Sequence, residues 1–238
     1  MIYIVFFLIF PLLIFCICVQ SFEMLPTRIF LDFDEQERLF TKPYIDGHHR
    51  SHIACMGFLF AFFVAISANF ICTTDLSVFA IPAILRNIAT AILLGHIFIS
   101  DFLFQIIPDE HLIALLLLNI GNYSAYSLPS GLCGFLPFFL LSLCGYLIFG
   151  FSAVGFGDVK LLSVLGLLTA PTAILAVQAL ACTLSGAFCA GLLALKFVRK
   201  IQKDKAAADL QGFVPLAPFI ILSFGFVNAF ALQLRSLL

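Results

Sequence analysis

An uncharged run of 46 residues, 112–157, constrains this chain more than any other feature of its sequence. A second uncharged run follows at 161–195, and only Asp158 and Lys160 carry charge between the two. Of the 238 residues, 63% are hydrophobic and 11% are charged, whereas a soluble domain carries roughly a quarter charged residues. Because so few polar groups cannot cover a surface in water, the chain is predicted to be an all-α, polytopic integral membrane protein.

Hydrophobic segments of about 20 residues, the length that spans a bilayer, recur along the chain and predict a bundle of about eight transmembrane helices. A Gly/Asn/Ser/Pro cluster at 121–131 separates spans four and five, and Thr-Ala-Pro at 169–171 separates spans six and seven. The sixth span is predicted to begin near Gly157. The remaining spans are predicted at 1–22, 53–72, 78–100 and 210–234.

Loop charges predict the domain organisation and the orientation in the membrane. The predicted parts are a first transmembrane helix at 1–22, a short cytoplasmic loop at 23–52 and a membrane-embedded domain at 53–238. With eight spans, ten of the twelve Lys and Arg residues fall on one side, which carries the 23–52 loop, the predicted loops 101–110 and 196–209, and the turn before Asp158. Cytoplasmic loops are enriched in these residues, so that side is predicted to be cytoplasmic, with both termini on the outer side.

Two aspartates are predicted to meet at the cytoplasmic face, because two membrane crossings separate Asp101 from Asp158. An ionised carboxylate costs about 2.5–3.5 kcal/mol at the centre of a membrane helix, and two adjacent carboxylates tend to share one proton. Such a pair suits aspartyl hydrolysis, in which the ionised partner takes a proton from water and the protonated partner polarises the scissile carbonyl. Taken singly, Asp158 also fits a helix-capping residue, and chemistry alone does not choose Asp101 over Asp109 or Glu110.

The segments DFLFQIIPD (101–109) and GFGDVKLL (155–162) together resemble the two active-site motifs of the type IV prepilin peptidases. These are membrane aspartyl proteases of the G-x-G-D type. The resemblance implies that Asp101, which opens the first segment, and Asp158, in the second, are the catalytic dyad. It also implies that 53–238 is the peptidase domain.

Five further residues are assigned to the loops that support this predicted site: Gly155, Gly157, Lys160, Pro108 and Asp109. Glycine permits tight turns and the close approach of a substrate backbone. Proline would stop a helix and set the geometry of the first loop. The lysine is expected either to anchor the turn at the lipid interface or to tune the acid pair.

The resemblance also implies a reaction, a partner and a location. Such enzymes cleave a short basic leader from prepilin or pseudopilin precursors, just after a glycine, at the cytoplasmic face of the bacterial inner membrane. The expected partners are these precursors and membrane lipid, without nucleic acid, and hydrolysis by an aspartate pair requires no metal or other cofactor. Softer similarities lie at 21–28 and at 213–219, where Ala217 replaces a glycine of the family motif.

One departure from the family concerns the 23–52 loop. Many bacterial members carry a larger domain there, with two C-x-x-C pairs that are linked to zinc and to N-methylation of the new N-terminus. The loop contains no cysteine, and the spacing of His48, His49 and His52 is not that of a zinc site. The zinc domain is therefore predicted to be absent, and N-methylation is left out of the prediction.

Three alternative functions compete with this hypothesis. An intramembrane protease of the presenilin kind shares G-x-G-D but has a Tyr-Asp pair in mid-membrane, whereas Ser100 precedes Asp101 here. An ion-coupled transporter would use Asp101, Asp158, Arg86 and His96 as an ion path, yet the sequence has no inverted repeat of the kind such folds contain. The third alternative is an inactive relative that serves as an assembly factor.

Overall fold

In a computed structural model of the chain, the described residues are 2–26, 56–57, 59–60, 62–63, 81–150, 154–201 and 215–237. Most of the predicted second span lies outside the described residues. So do most of the 23–52 loop, with its histidines, and most of the predicted loop at 196–209.

Seven α-helices account for most of the described residues, and no strand occurs among them. The predicted all-α class is therefore confirmed for this part of the chain. The helices are α1 (Ile2–Met24), α2 (Ile81–Phe104), α3 (Asp109–Leu118), α4 (Ser127–Phe149), α5 (Phe156–Leu167), α6 (Pro171–Ile201) and α7 (Ala217–Leu237).

Three of these helices are long and apolar enough to cross a membrane, over Pro82–Phe104, Ser127–Ile148 and Pro171–Ala194. Eight spans are not confirmed. α3 has 10 residues and α5 has 12. At 1.5 Å per residue they reach only about 15 and 18 Å, roughly half of the 30 Å hydrocarbon core. The predicted spans four and six therefore correspond to helices too short to cross it.

Three predicted loop boundaries also differ from the structure. The loop predicted at 101–110 is shorter, because α2 continues to Phe104 and α3 starts at Asp109. The turn predicted at 121–131 ends earlier, since α4 begins at Ser127, whose hydroxyl accepts the backbone N–H of Ser124 at 2.9 Å. The loop predicted at 196–209 starts later, because α6 extends to Ile201. In each case a helix includes polar or charged residues that the prediction assigns to a loop.

The break between α5 and α6 lies where the Thr-Ala-Pro sequence predicts it. α5 ends at Leu167 and α6 begins at Pro171. Proline suits the first position of a helix, where its missing N–H would have no partner within the helix. The prediction of this break is confirmed.

Close packing of α4 against α5 forms a helical hairpin that positions the start of α5. A Cβ atom at Gly134 would collide with the backbone carbonyl of Leu162, and one at Gly166 would collide with the backbone of α4. Small residues at such interfaces let two helix backbones approach closely. On the other side of α4, Gln178 of α6 donates to the Gly134 carbonyl at 2.8 Å. The hairpin is thus held by backbone contacts.

His96 of α2, which the sequence alone does not explain, lies in a buried contact among three helices. Its Nε2 atom is 2.8 Å from the hydroxyl of Ser21 on α1, and its ring centroid is 5.5 Å from that of His111 on α3. One helical turn of α2 separates this contact from the next polar buried position, Ser100. We assign His96 a packing role between α1, α2 and α3.

Candidate active site

Asp101 lies in the last turn of α2 and is buried, with 6% of its surface exposed. Its Oδ2 atom accepts a hydrogen bond of 3.1 Å from the backbone N–H of Ala217, the first residue of α7. The first N–H groups of a helix have no partner within the helix and lie at the positive end of its dipole. The N-terminus of α7 therefore provides a donor and a favourable field for a negative charge on Asp101.

The loop that follows Asp101 is fixed by hydrogen bonds at both of its ends. The hydroxyl of Ser100, which is fully buried, donates to the carbonyl of Ile106 at 2.6 Å. The backbone N–H of Gln105 donates to the carbonyl of Asp101 at 2.9 Å. Gln105 has a φ of 58°, in the left-handed region that non-glycine residues seldom adopt. These contacts fix the path of the chain between the end of α2 and the start of α3.

Asp158 is the third residue of α5, and 9% of its surface is exposed. Gly155, rather than Asp158, is the N-cap residue of that helix, so the structure gives no support to a capping role for the aspartate. The Oδ1 atom of Asp158 is buried and has no hydrogen-bond partner in the described part of the chain. The carboxylates of Asp158 and Asp101 are close enough to interact electrostatically.

Gly155 and Gly157 are required for space, because the chain approaches both of them closely. A Cβ atom at Gly155 would lie 3.1 Å from Oδ2 of Asp158, and one at Gly157 would lie 3.2 Å from Cβ of Ile107. Gly155 has a φ of −62°, which any residue can adopt. In the structure, other residues of the chain approach these two glycines closely. Gly157 lets the loop after Asp101 pack against the start of α5.

Pro108, Asp109 and Lys160 lie where the two motif segments meet. Pro108 is buried and is the N-cap residue of α3, so it precedes a helix and does not end α2, which stops four residues earlier. Nζ of Lys160 lies 2.8 Å from both carboxylate oxygens of Asp109, and 5.3 Å from the ring centroid of Phe156. The lysine therefore has a protein partner at the position where a lipid anchor was expected.

Geometry distinguishes the three acids that chemistry alone left as possible partners of Asp158. Asp109 is 61% exposed and is paired with Lys160, and Glu110 is exposed. Asp101 is buried and interacts with Asp158. The structure thus brings together the two aspartates that the resemblance assigns to the dyad.

Sequence reasoning missed two groups at this site, the backbone N–H of Ala217 and the side chain of Ile107. A backbone donor leaves no signal in the residue type, although the motif-like segment at 213–219 contains Ala217. Ile107 belongs to the first motif segment, but its apolar character resembles that of its neighbours. Only the tertiary structure brings each of them to the aspartates.

The family model of the type IV leader peptidase family matches residues 88–191, a little under half of the chain. That segment contains both aspartates and the glycine motif. Over this segment the chain is similar to the type IV leader peptidase family. No curated protein and no solved structure matches the chain.

The match to the leader peptidase family confirms the resemblance drawn from the two motifs. Together with the three long apolar helices, it supports a membrane protein and, in general terms, a protease of the leader peptidase type. The matched segment runs from α2 to α6 and excludes α7. Ala217, which donates to Asp101, therefore lies outside it.

Proposed function

We propose that the protein is an aspartic endopeptidase that removes the basic leader from type IV prepilin or pseudopilin-like precursors. Asp101 and Asp158 are its catalytic pair. The observation that carries the proposal is the burial, within interaction distance, of two carboxylates from two separate motif segments. Burying two acids costs free energy, and no described residue forms an ion pair with either of them, so a purely structural role gives no reason to keep both.

In this proposal the two aspartates have different roles, because their surroundings differ. Asp101 is the ionised partner, since a backbone N–H at a helix N-terminus donates to it. Asp158 is the protonated partner, since its buried Oδ1 has no hydrogen-bond partner among the residues that the structure describes. A proton on Asp158 is therefore available to a substrate carbonyl.

The reaction returns both carboxyl groups to their starting states. Asp101 takes a proton from the attacking water as the water oxygen bonds to the scissile carbon, while Asp158 gives its proton to the carbonyl oxygen. The C–N bond of the resulting gem-diol then breaks. Asp101 gives its proton to the leaving amine nitrogen, and Asp158 recovers a proton from a diol hydroxyl, which leaves the carboxylic acid product.

The site is proposed to open to the cytoplasmic face of a bacterial inner membrane. The charge distribution of the loops supports this orientation. Exposed polar residues next to the dyad, namely Gln105, Asp109 and Glu110, support a location at the polar boundary, where water and a basic leader have access. N-methylation is not part of the proposal, because the 23–52 loop contains no cysteine.

The test is cleavage, by the purified full-length protein in detergent, of a precursor peptide with a basic leader, a glycine and a hydrophobic helix. Asp101→Asn and Asp158→Asn should each lower kcat at least about a hundredfold, the usual contribution of a general acid or base. Glu110→Gln is the matched control and should cleave at the wild-type rate. Asp109→Asn is not a neutral control, because it removes the partner of Lys160.

Two results would contradict the proposal. One is a wild-type protein that does not cut several different leader peptides after the glycine. The other is cleavage at an undiminished rate by either aspartate variant. The first result would favour a transport or assembly role for the same fold, and the second would reject the aspartate pair as the catalytic groups.

A further inference from the structure

An ion pair connects the two segments that carry the aspartates. Asp109 is the first residue of α3 and follows the loop that begins after Asp101, and Lys160 lies two residues beyond Asp158 in α5. The distances from Nζ of Lys160 to both oxygens of Asp109 are 2.8 Å. The pair thus closes a ring that runs from Asp101 along the loop to Asp109, and from Lys160 back along α5 to Asp158.

A second contact joins the same two segments. The side chain of Ile107 packs against Gly157, where an added Cβ would lie 3.2 Å from Cβ of Ile107. Ile107 precedes Asp109 by two residues, and Gly157 precedes Asp158 by one. One apolar contact and one ion pair therefore fix the spacing between the loop and the start of α5.

Within their own part of the sequence, Lys160 and Asp109 have few other charged partners. Lys160 is the only Lys or Arg in residues 87–195, and Asp109 and Glu110 are the only acids in 102–157. The ring of Phe156, one turn before Lys160, lies 5.3 Å from its Nζ atom and limits the positions of the ammonium group. The ion pair and the contact with the Phe156 ring both hold the Lys160 ammonium close to the Asp109 carboxylate.

The exposure of the pair favours a role in positioning the dyad over a role in stabilising the fold. Lys160 is 38% exposed and Asp109 is 61% exposed. Exposed ion pairs contribute little to folding, so this pair adds little to the stability of a hairpin held by backbone packing. A displacement of about 1 Å between reacting groups, however, can lower a rate about a hundredfold.

We propose that the Asp109–Lys160 ion pair is a clasp that sets the separation of the Asp101 and Asp158 carboxyl groups. The inference rests on the proposed function, since it concerns the geometry of that dyad. Neither member of the clasp contacts the reacting atoms. Both are positioning residues, and their loss changes the rate of the chemical step more than substrate binding or stability.

The experiment compares kcat, KM and Tm of the full-length protein in detergent, with the same precursor peptide. Asp109→Asn and Lys160→Gln should each lower kcat about tenfold, with KM within about twofold and little change in Tm. Exchanging the charges, Asp109→Lys with Lys160→Asp, should recover most of the lost kcat. Glu110→Gln, an exposed acid beside the clasp, should match the wild type.

A second readout does not require the exchanged pair to fold. Salt screens exposed charges, with a Debye length of about 3 Å at 1 M. At saturating peptide, kcat of the wild type should fall toward that of Asp109→Asn as salt is added, whereas kcat of the variant should change little. Equal salt dependence of the two proteins would overturn the clasp.

The clasp is also overturned if both single variants keep the kcat of Glu110→Gln, or if they lose Tm and kcat together and the exchanged pair recovers neither. These outcomes differ from failure of the proposed function. If the proposed function fails, the wild type does not cleave the peptide, or Asp101→Asn cleaves it normally. A cleaving wild type with an inactive Asp101→Asn and unaffected clasp variants would reject this inference alone.

Discussion

The α4–α5 hairpin, which presents Asp158, is held by contacts between helix backbones, whereas the end of α2, which presents Asp101, is held by single hydrogen bonds. In the hairpin, glycines allow the two chains to touch, so there is little room for adjustment. Around Asp101, one bond comes from Ala217 and another links Ser100 to Ile106. One carboxylate is thus fixed by the fold itself, and the other is placed by a few replaceable contacts.

This difference indicates that mutations in the two regions fail in different ways. Changes in the hairpin interface should unfold the protein and lose activity only as a consequence. Changes around Asp101 should lower the rate in a protein that remains folded. The following predictions test that distinction, from the largest expected effect to the smallest.

Gly134→Val should have the largest effect, because its side chain would occupy the position of the Leu162 carbonyl. Overpacking typically costs about 1–3 kcal/mol, and a backbone atom cannot move aside as a side chain does. We expect a large fall in Tm or in the yield of folded protein, measured by thermal unfolding in detergent. Gly186→Val is the control, since no atom of the described residues lies within 4 Å of a Cβ there, and equal Tm values for the two variants would refute rigid hairpin packing.

Ala217→Pro should have an intermediate effect, which we expect on kcat rather than on stability. Proline removes the N–H that donates to Asp101 at 3.1 Å but is tolerated in the first turn of a helix. A hydrogen bond to a charged group contributes about 1.5–3 kcal/mol, so kcat should fall roughly ten- to hundredfold. Ala217→Gly keeps the N–H and should stay near the wild type; if its kcat falls as far as that of the proline variant, the donor is irrelevant and the buried methyl group is what matters.

Ser100→Ala should have the smallest effect, since it removes the hydroxyl that holds the Ile106 carbonyl at 2.6 Å. The net contribution of such a bond is about 1 kcal/mol, so we expect a few-fold lower kcat and a small change in Tm. Ser185→Ala is the control, because it removes a hydroxyl that donates to the Cys182 carbonyl within α6. A loss of kcat as large in this control would mean that the effect is not specific to the loop after Asp101.

Much of this arrangement can be predicted from the sequence, because apolar length and helix breakers leave clear signals. The all-α class follows from the uncharged runs, and the break before Pro171 follows from a residue that cannot continue a helix. The pairing of Asp101 with Asp158 follows from counting the crossings between them, even though the two helices involved are shorter than a crossing requires. The argument needed only that the chain leave the face and return to it.

Other features could not be predicted, because they depend on groups that only tertiary structure brings together. Hydropathy does not reveal that α3 ends at Leu118, where Asn119 bonds through its amide to the hydroxyl of Thr90 at 3.2 Å. The donor to Asp101 is a backbone group 116 residues away. The partner of Lys160 lies 51 residues before it, in a different motif. None of these pairings has a local sequence pattern.

The half-length of α3 has a consequence for the membrane itself. This helix exposes Ile113 and Leu117, with charged residues at its start and the exposed Tyr126 in the turn beyond its end. Tyrosine side chains favour the headgroup level, so the apolar surface along α3 is much shorter than that along α4. Lipid accommodates such a hydrophobic mismatch by local thinning. We therefore expect the bilayer to be thinner beside α3 than beside α4, which in the proposed function would shorten the path of a membrane-anchored peptide bond to the two carboxylates.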